Sequence, residues 1–78
     1  MLDAKKVIGF NNLSENNQKL FTAFLSNFYH AWGLEVRDTI KPLKISYMND
    51  IEGKYLRFDY EIYDRKEWLH VTTEKNWY

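Results

Sequence analysis

Cysteine is absent from this 78-residue chain, so neither a disulfide nor a thiolate-bound metal can help to hold it together. Proline occurs once and glycine three times, widely separated, which excludes a glycine-rich phosphate loop and any low-complexity linker. No stretch approaches the roughly 18 apolar residues that span a bilayer. Met1-Leu2-Asp3-Ala4-Lys5-Lys6 is not followed by the apolar run of a secretory leader, so a cytoplasmic protein is expected. Net charge is missing too, because eleven basic side chains balance eleven acidic ones. Residues 1–45 hold six Lys/Arg against four Asp/Glu, and residues 46–78 hold five against seven. Surfaces that neutralise phosphates carry a clear basic excess. The charge therefore argues against a membrane partner and disfavours nucleic acid.

What the chain does have is apolar and aromatic bulk: 45% hydrophobic residues, 18% aromatic. That is far from a disordered composition and is enough for one core, so residues 1–78 read as a single small domain. Fourteen aromatic rings must supply most of the buried area.

The strongest helical signal spans residues 13–32. Leu13, Leu20, Phe21, Phe24, Leu25, Phe28 and Trp32 fall within an arc of about 140° on a helical wheel. Glu15, Lys19, Thr22, Ser26 and His30 form the opposite face, with Glu15 and Lys19 at i,i+4 spacing. Asn12 and Glu15 have capping-box spacing, and Gly33 is a natural stop. Ahead of the helix, Val7, Ile8 and Phe10 mark residues 5–10 as a short strand or a packed arm, the candidate fourth strand of a sheet.

The second half alternates with period two, the pattern of strands with one buried face. Three segments carry it, residues 43–48, 55–63 and 68–74. Leu43, Ile45, Tyr47, Leu56, Phe58, Tyr60, Ile62, Leu69, Val71 and Thr73 point one way. Residues 34–41 begin a further extended stretch that Pro42 interrupts, and a change of parity after Ile40 implies a bulge there. Residues 49–54 and 64–67 read as hairpin loops, with Gly53 available for a positive φ. The expected fold is α+β, one helix on an antiparallel three-stranded meander.

Burying Ile45 opposite Phe58 sets Lys44 beside Asp59 and Ser46 beside Arg57. Centring the second hairpin on residues 64–67 sets Tyr63 beside Trp68, Glu61 beside His70, Asp59 beside Thr72 and Arg57 beside Glu74. Such cross-strand pairs contribute about 0.2–1 kcal/mol each. The register also turns Tyr55, Arg57, Tyr63, Trp68 and His70 outward. The terminal pair Trp77-Tyr78 either folds back over the core edge, the favoured reading, or is presented to a partner.

Catalytic signals are sparse. His70 beside Glu61 has the form of an oriented general base, but no nucleophile is spaced beside it, and a histidine–glutamate pair on a sheet surface is more often structural. The acidic residues match no calcium loop, and two histidines alone make no metal site. No cofactor is expected.

Tyrosine, tryptophan and arginine are the residues enriched at interface hot spots. Tyr55, Arg57, Tyr63, Trp68, His70, Trp77 and Tyr78 are thus candidate partner-binding residues of a non-enzymatic adaptor or inhibitor. Self-association through an edge strand is a companion expectation, since only Pro42 weakens that edge. The alternative is nucleic-acid binding through the same face, with aromatics under bases and Arg57, Lys44, Lys54 and Arg65 near phosphates. A helix on a three-stranded meander occurs in double-stranded-RNA-binding and integrase-arm domains, though no motif of either is present. With its small size, neutral charge and seven asparagines, the chain is similar in composition to small accessory proteins of phages and mobile elements.

Overall fold

Ser14 starts the long helix. Its hydroxyl accepts the Asn17 N–H at 3.3 Å and its carbonyl accepts the Gln18 N–H at 2.8 Å, satisfying donors of the first turns. In the computed structural model, which describes residues 3–51 and 53–78, this helix (α1) runs Glu15–His30. It is two residues shorter at each end than its apolar stripe, and Asn12 lies in the 3-10 turn before it rather than at the cap. Gly33 does not end it with a left-handed residue, since its φ is −66°. Arg37 closes the helix instead. A one-turn helix, α2 (Leu34–Arg37), folds the chain back so that Arg37 Nε donates to the Tyr29 and Trp32 carbonyls, both at 2.9 Å. A cation on the last carbonyls also suits the helix dipole.

Four antiparallel strands follow: β1 (Lys41–Asp50), β2 (Gly53–Ile62), β3 (Arg65–Thr73) and β4 (Asn76–Trp77), in the spatial order β1-β2-β3-β4. The α+β architecture, with α1 on one face of a meander, agrees with the sequence. The fourth strand does not come from residues 5–10. Residues 3–13 form a packed arm of two 3-10 turns, Ala4–Lys6 and Phe10–Asn12, that buries Ala4, Val7, Phe10 and Leu13. The arm packs along β1 with its Phe10–Asn12 turn and joins it by one parallel bridge, Ile8 to Lys44, where the Ile45 N–H donates to the Ile8 carbonyl at 2.9 Å. Gly9 makes that approach possible. Its φ is +94°, and a Cβ there would run into the Ile45 carbonyl oxygen.

The first hairpin has the expected register: Lys44 pairs with Asp59, Ile45 with Phe58 and Ser46 with Arg57. The register shifts between Pro42 and Lys44, the bulge foreseen near the proline. The ladder runs on to Asp50–Gly53, so the loop is tighter than residues 49–54; Gly53 takes φ +107°, and Glu52 lies outside the described residues.

The second hairpin turns earlier than its charged run suggests. Ile62 pairs with Arg65, leaving Tyr63 and Asp64 as a two-residue turn with φ of 50° and 61°. This left-handed pair has the hand that twisted hairpins prefer. The ladder then joins Asp59 to Trp68, Arg57 to His70 and Leu56 to Val71. Relative to a loop at 64–67 the register moves by an even number of residues, so the faces survive while every expected cross-strand neighbour changes.

The core lies between α1 and the inner sheet face. Phe21, Phe24, Phe28, Phe58 and Val71 are essentially inaccessible to solvent. Trp77 joins them, its ring 5.4 Å from Phe24 and 6.0 Å from Phe28. Burial raises the Tyr60 phenol above its ordinary value of 10.0, and the negative charge of Glu67, directly across the ladder, adds to this. Tyr47, expected inside, is 48% exposed. It lines a groove of about 570 Å³ where Leu13, Leu20, Leu56 and Val71 meet the start of α1. Among the described residues, no helix is long and apolar enough to cross a membrane.

Three outcomes are expected. Gly9→Ala should destabilise the fold by about 1–3 kcal/mol in urea titrations and speed hydrogen exchange at the Ile45 amide. Replacing Tyr63-Asp64 by Asn-Gly should raise stability by about 1 kcal/mol in thermal unfolding, since glycine and asparagine accept positive φ more readily. The native Tyr60 phenol holds its proton more tightly than the unfolded chain. Its stabilising effect is therefore intact below pH 10 and lost as pH rises through the native value. Tyr60→Phe should flatten that alkaline loss, read as the urea midpoint from about pH 8 to about pH 11.

Candidate partner-binding face

The inner-face residues of β2 and β3 are held by the core, so the alternate residues must face outward. β2 presents Tyr55, Arg57, Asp59 and Glu61, while β3 presents Trp68, His70 and Thr72. Arg57 sits opposite His70 and Asp59 opposite Trp68. Tyr78 arrives at the same face from beyond β4, exchanging two backbone hydrogen bonds with His70 at 2.8 and 3.0 Å.

These side chains form one contiguous ladder of rings, tilted at Tyr55 and Trp68 and stacked at Tyr78. The His70 ring lies 4.5 Å from Tyr55, 4.7 Å from Trp68 and 4.6 Å from Tyr78, nearly parallel to the last at 12°. The Arg57 guanidinium sits 4.4 Å from the Trp68 ring centroid, within cation–π range. Its far side is held by Asp59, whose Oδ1 accepts from Nε at 3.3 Å and Nη2 at 3.2 Å. At the other end the Tyr55 hydroxyl donates to Asp50 Oδ2 at 2.9 Å. Tyr55 is buried although it belongs to the outer face, whereas Trp68 and Tyr78 are 43% and 66% exposed.

Five of the seven residues expected from sequence therefore converge: Tyr55, Arg57, Trp68, His70 and Tyr78. Two do not. Tyr63 occupies the hairpin turn and does not pair with Trp68, and Trp77 is turned into the core against Phe24 and Phe28. The expected Arg57–Glu74 and Asp59–Thr72 neighbours are replaced by the Arg57–Asp59 pair and by Asp59 opposite Trp68. Sequence reasoning gave Asp59 to Lys44 and missed its part in holding Arg57. The i,i+2 spacing of Arg57 and Asp59 on one strand face was the available signal.

The candidate general base does not assemble. Glu61 pairs with Lys66, four residues along β3 from His70. His30 lies on the solvent side of α1, its Nδ1 2.7 Å from the Ser26 carbonyl, so the two histidines occupy opposite layers. Among the described residues, no group of three or more His, Asp or Glu side chains is placed to hold a metal ion. Comparison of the chain with protein-family models, curated proteins and solved structures finds no match.

Proposed function

We propose that this chain is a small non-enzymatic protein-binding module, an adaptor or inhibitor that acts in the cytoplasm by covering part of another protein's surface. The observation that carries the reading is the preformed ladder of ring contacts on the outer sheet face, with Trp68 and Tyr78 partly exposed. Tryptophan, tyrosine and arginine dominate interface hot spots. Side chains already held by their neighbours lose little further rotamer freedom on binding, and this lowers the cost of association. Arg57 is engaged by both Asp59 and Trp68, which leaves less of the Trp68 ring and less of the cation for a nucleobase and its phosphate. With zero net charge, that favours a protein partner over nucleic acid. The compositional similarity to small phage and mobile-element proteins fits an inhibitor or adaptor.

The test is affinity capture from host lysate with the wild-type chain and with Trp68→Ala and Tyr78→Ala, each confirmed as folded by circular dichroism. One stoichiometric protein should persist after nuclease treatment. Its affinity should fall about 30-fold with Trp68→Ala, corresponding to about 2 kcal/mol at a hot spot. Capture that vanishes with nuclease, or that both variants retain unchanged, would overturn the reading.

A further inference from the structure

The outer edge of β1 has two unlike halves. From Lys41 to Ile45 it is closed. Pro42 has no N–H to offer, the strand bulges between Pro42 and Lys44, and Ile8 with Gly9 covers the backbone of Ile45. From Ser46 to Asp50, no element among the described residues pairs with that edge. The Ile45 N–H points away from β2, toward Ile8. Tyr47 and Asn49 follow at two-residue spacing, so their N–H and C=O groups point the same way. No proline or bulge interrupts this half; the arm lies beside its Ser46 and Tyr47 end without pairing to it, and an unpaired edge is a template for another extended strand.

We propose that residues 46–50 form the interface of a two-fold symmetric dimer, in which a second copy of this chain pairs antiparallel with register centred on Met48. In that register Tyr47 faces Asn49 of the second copy and Asn49 faces its Tyr47, giving four backbone hydrogen bonds. Neighbouring registers fit less well. Centring on Tyr47 calls on the Ile45 N–H, which Ile8 already holds, and centring on Asn49 places Tyr47 against the turn residue Ile51.

Two further features agree with this occupant. Asp50 falls opposite Ser46 of the second copy and diagonal to its Lys44, so opposite charges meet twice and like charges do not face one another. Ile51 falls opposite Ile45 of the second copy, whose edge is covered by that copy's Ile8. The dimer therefore brings together the side chains of Ile51 (102% exposed) and Ile8 (70% exposed), which a lone chain leaves in water. This interface meets the outer-face ladder at Asp50, whose carboxylate accepts from Tyr55, while the backbone pairing at Tyr47 and Asn49 uses none of the ladder's side chains.

The chain contains no cysteine, so a single introduced thiol is unambiguous. Met48 would face its own copy across a non-hydrogen-bonded pair, with Cα atoms about 4.5 Å apart, inside the range a disulfide spans. Met48→Cys should form a cross-linked dimer under mild oxidation on the order of 100-fold faster than Ser46→Cys, whose copies lie apart in this register. Sedimentation of the unmodified chain should show a monomer–dimer equilibrium. Asn49→Pro should shift it to monomer without altering the circular dichroism spectrum, because that N–H serves only the outer edge. A chain that stays monomeric at every concentration, equal cross-linking rates at the two positions, or a folded Asn49→Pro that remains dimeric would overturn the proposal.

Discussion

Three phenylalanine rings of α1 converge on one ring of the sheet. Phe21, Phe24 and Phe28 lie 5.6, 5.4 and 5.7 Å from Phe58, and every one of the four is shielded from solvent. Each such ring pair adds about 0.5–1.5 kcal/mol beyond the area it buries, in a fold with no covalent staple. The cluster also determines orientation. With Phe58 pinned inward, Arg57 and Asp59 have no choice but to face outward, and a slip of one residue would exchange core for surface along the whole strand. The ladder on the outer face is in this sense a by-product of the packing on the inner one.

The helix, the three long strands and the first hairpin are legible in the sequence because each is driven by side-chain periodicity. Leu56, Phe58, Tyr60 and Ile62 can be read as an inward row without knowing where the chain turns. The second hairpin is not legible in the same way. Its turn residues, Tyr63 and Asp64, lack the Asn-Gly signature, and the neighbouring Asp64-Arg65-Lys66-Glu67 run looks more like a loop than the strand start it is. The patch survived this error because the register moved by an even count, which keeps faces and exchanges partners. Its strand members Tyr55, Arg57, Trp68 and His70 were visible from alternation, but Tyr78 was not, and neither were the contacts, since Arg57 meets Trp68 and His70 meets Tyr78 only in the true register.

One element was hidden for a different reason, and another was left open between a strand and a packed arm. The Arg37 closure of α1 depends on α2 turning the chain back, a tertiary event with no local pattern to announce it. The arm of residues 3–13 depends on a backbone-to-backbone approach at Gly9, where the informative feature is the absence of a side chain. Sequence alternation predicts faces well because burial is collective, and it predicts edges poorly because edges are settled by single residues.

Trp77 and Tyr78 are adjacent in the chain yet belong to opposite faces of the sheet. Trp77 seals the core against Phe24 and Phe28, and Tyr78 completes the stack on His70. A short ladder beside β3, the Thr72 hydroxyl donating to the Asn76 carbonyl and the ring contacts on both faces hold the pair. Lifting this segment would uncover Phe24 and Phe28 on one face and take the Tyr78 ring off His70 on the other. Any force that clamps Tyr78 from outside is accordingly transmitted through one peptide bond to the hydrophobic interior. The segment thus ties the outer surface to the hydrophobic interior through two neighbouring residues.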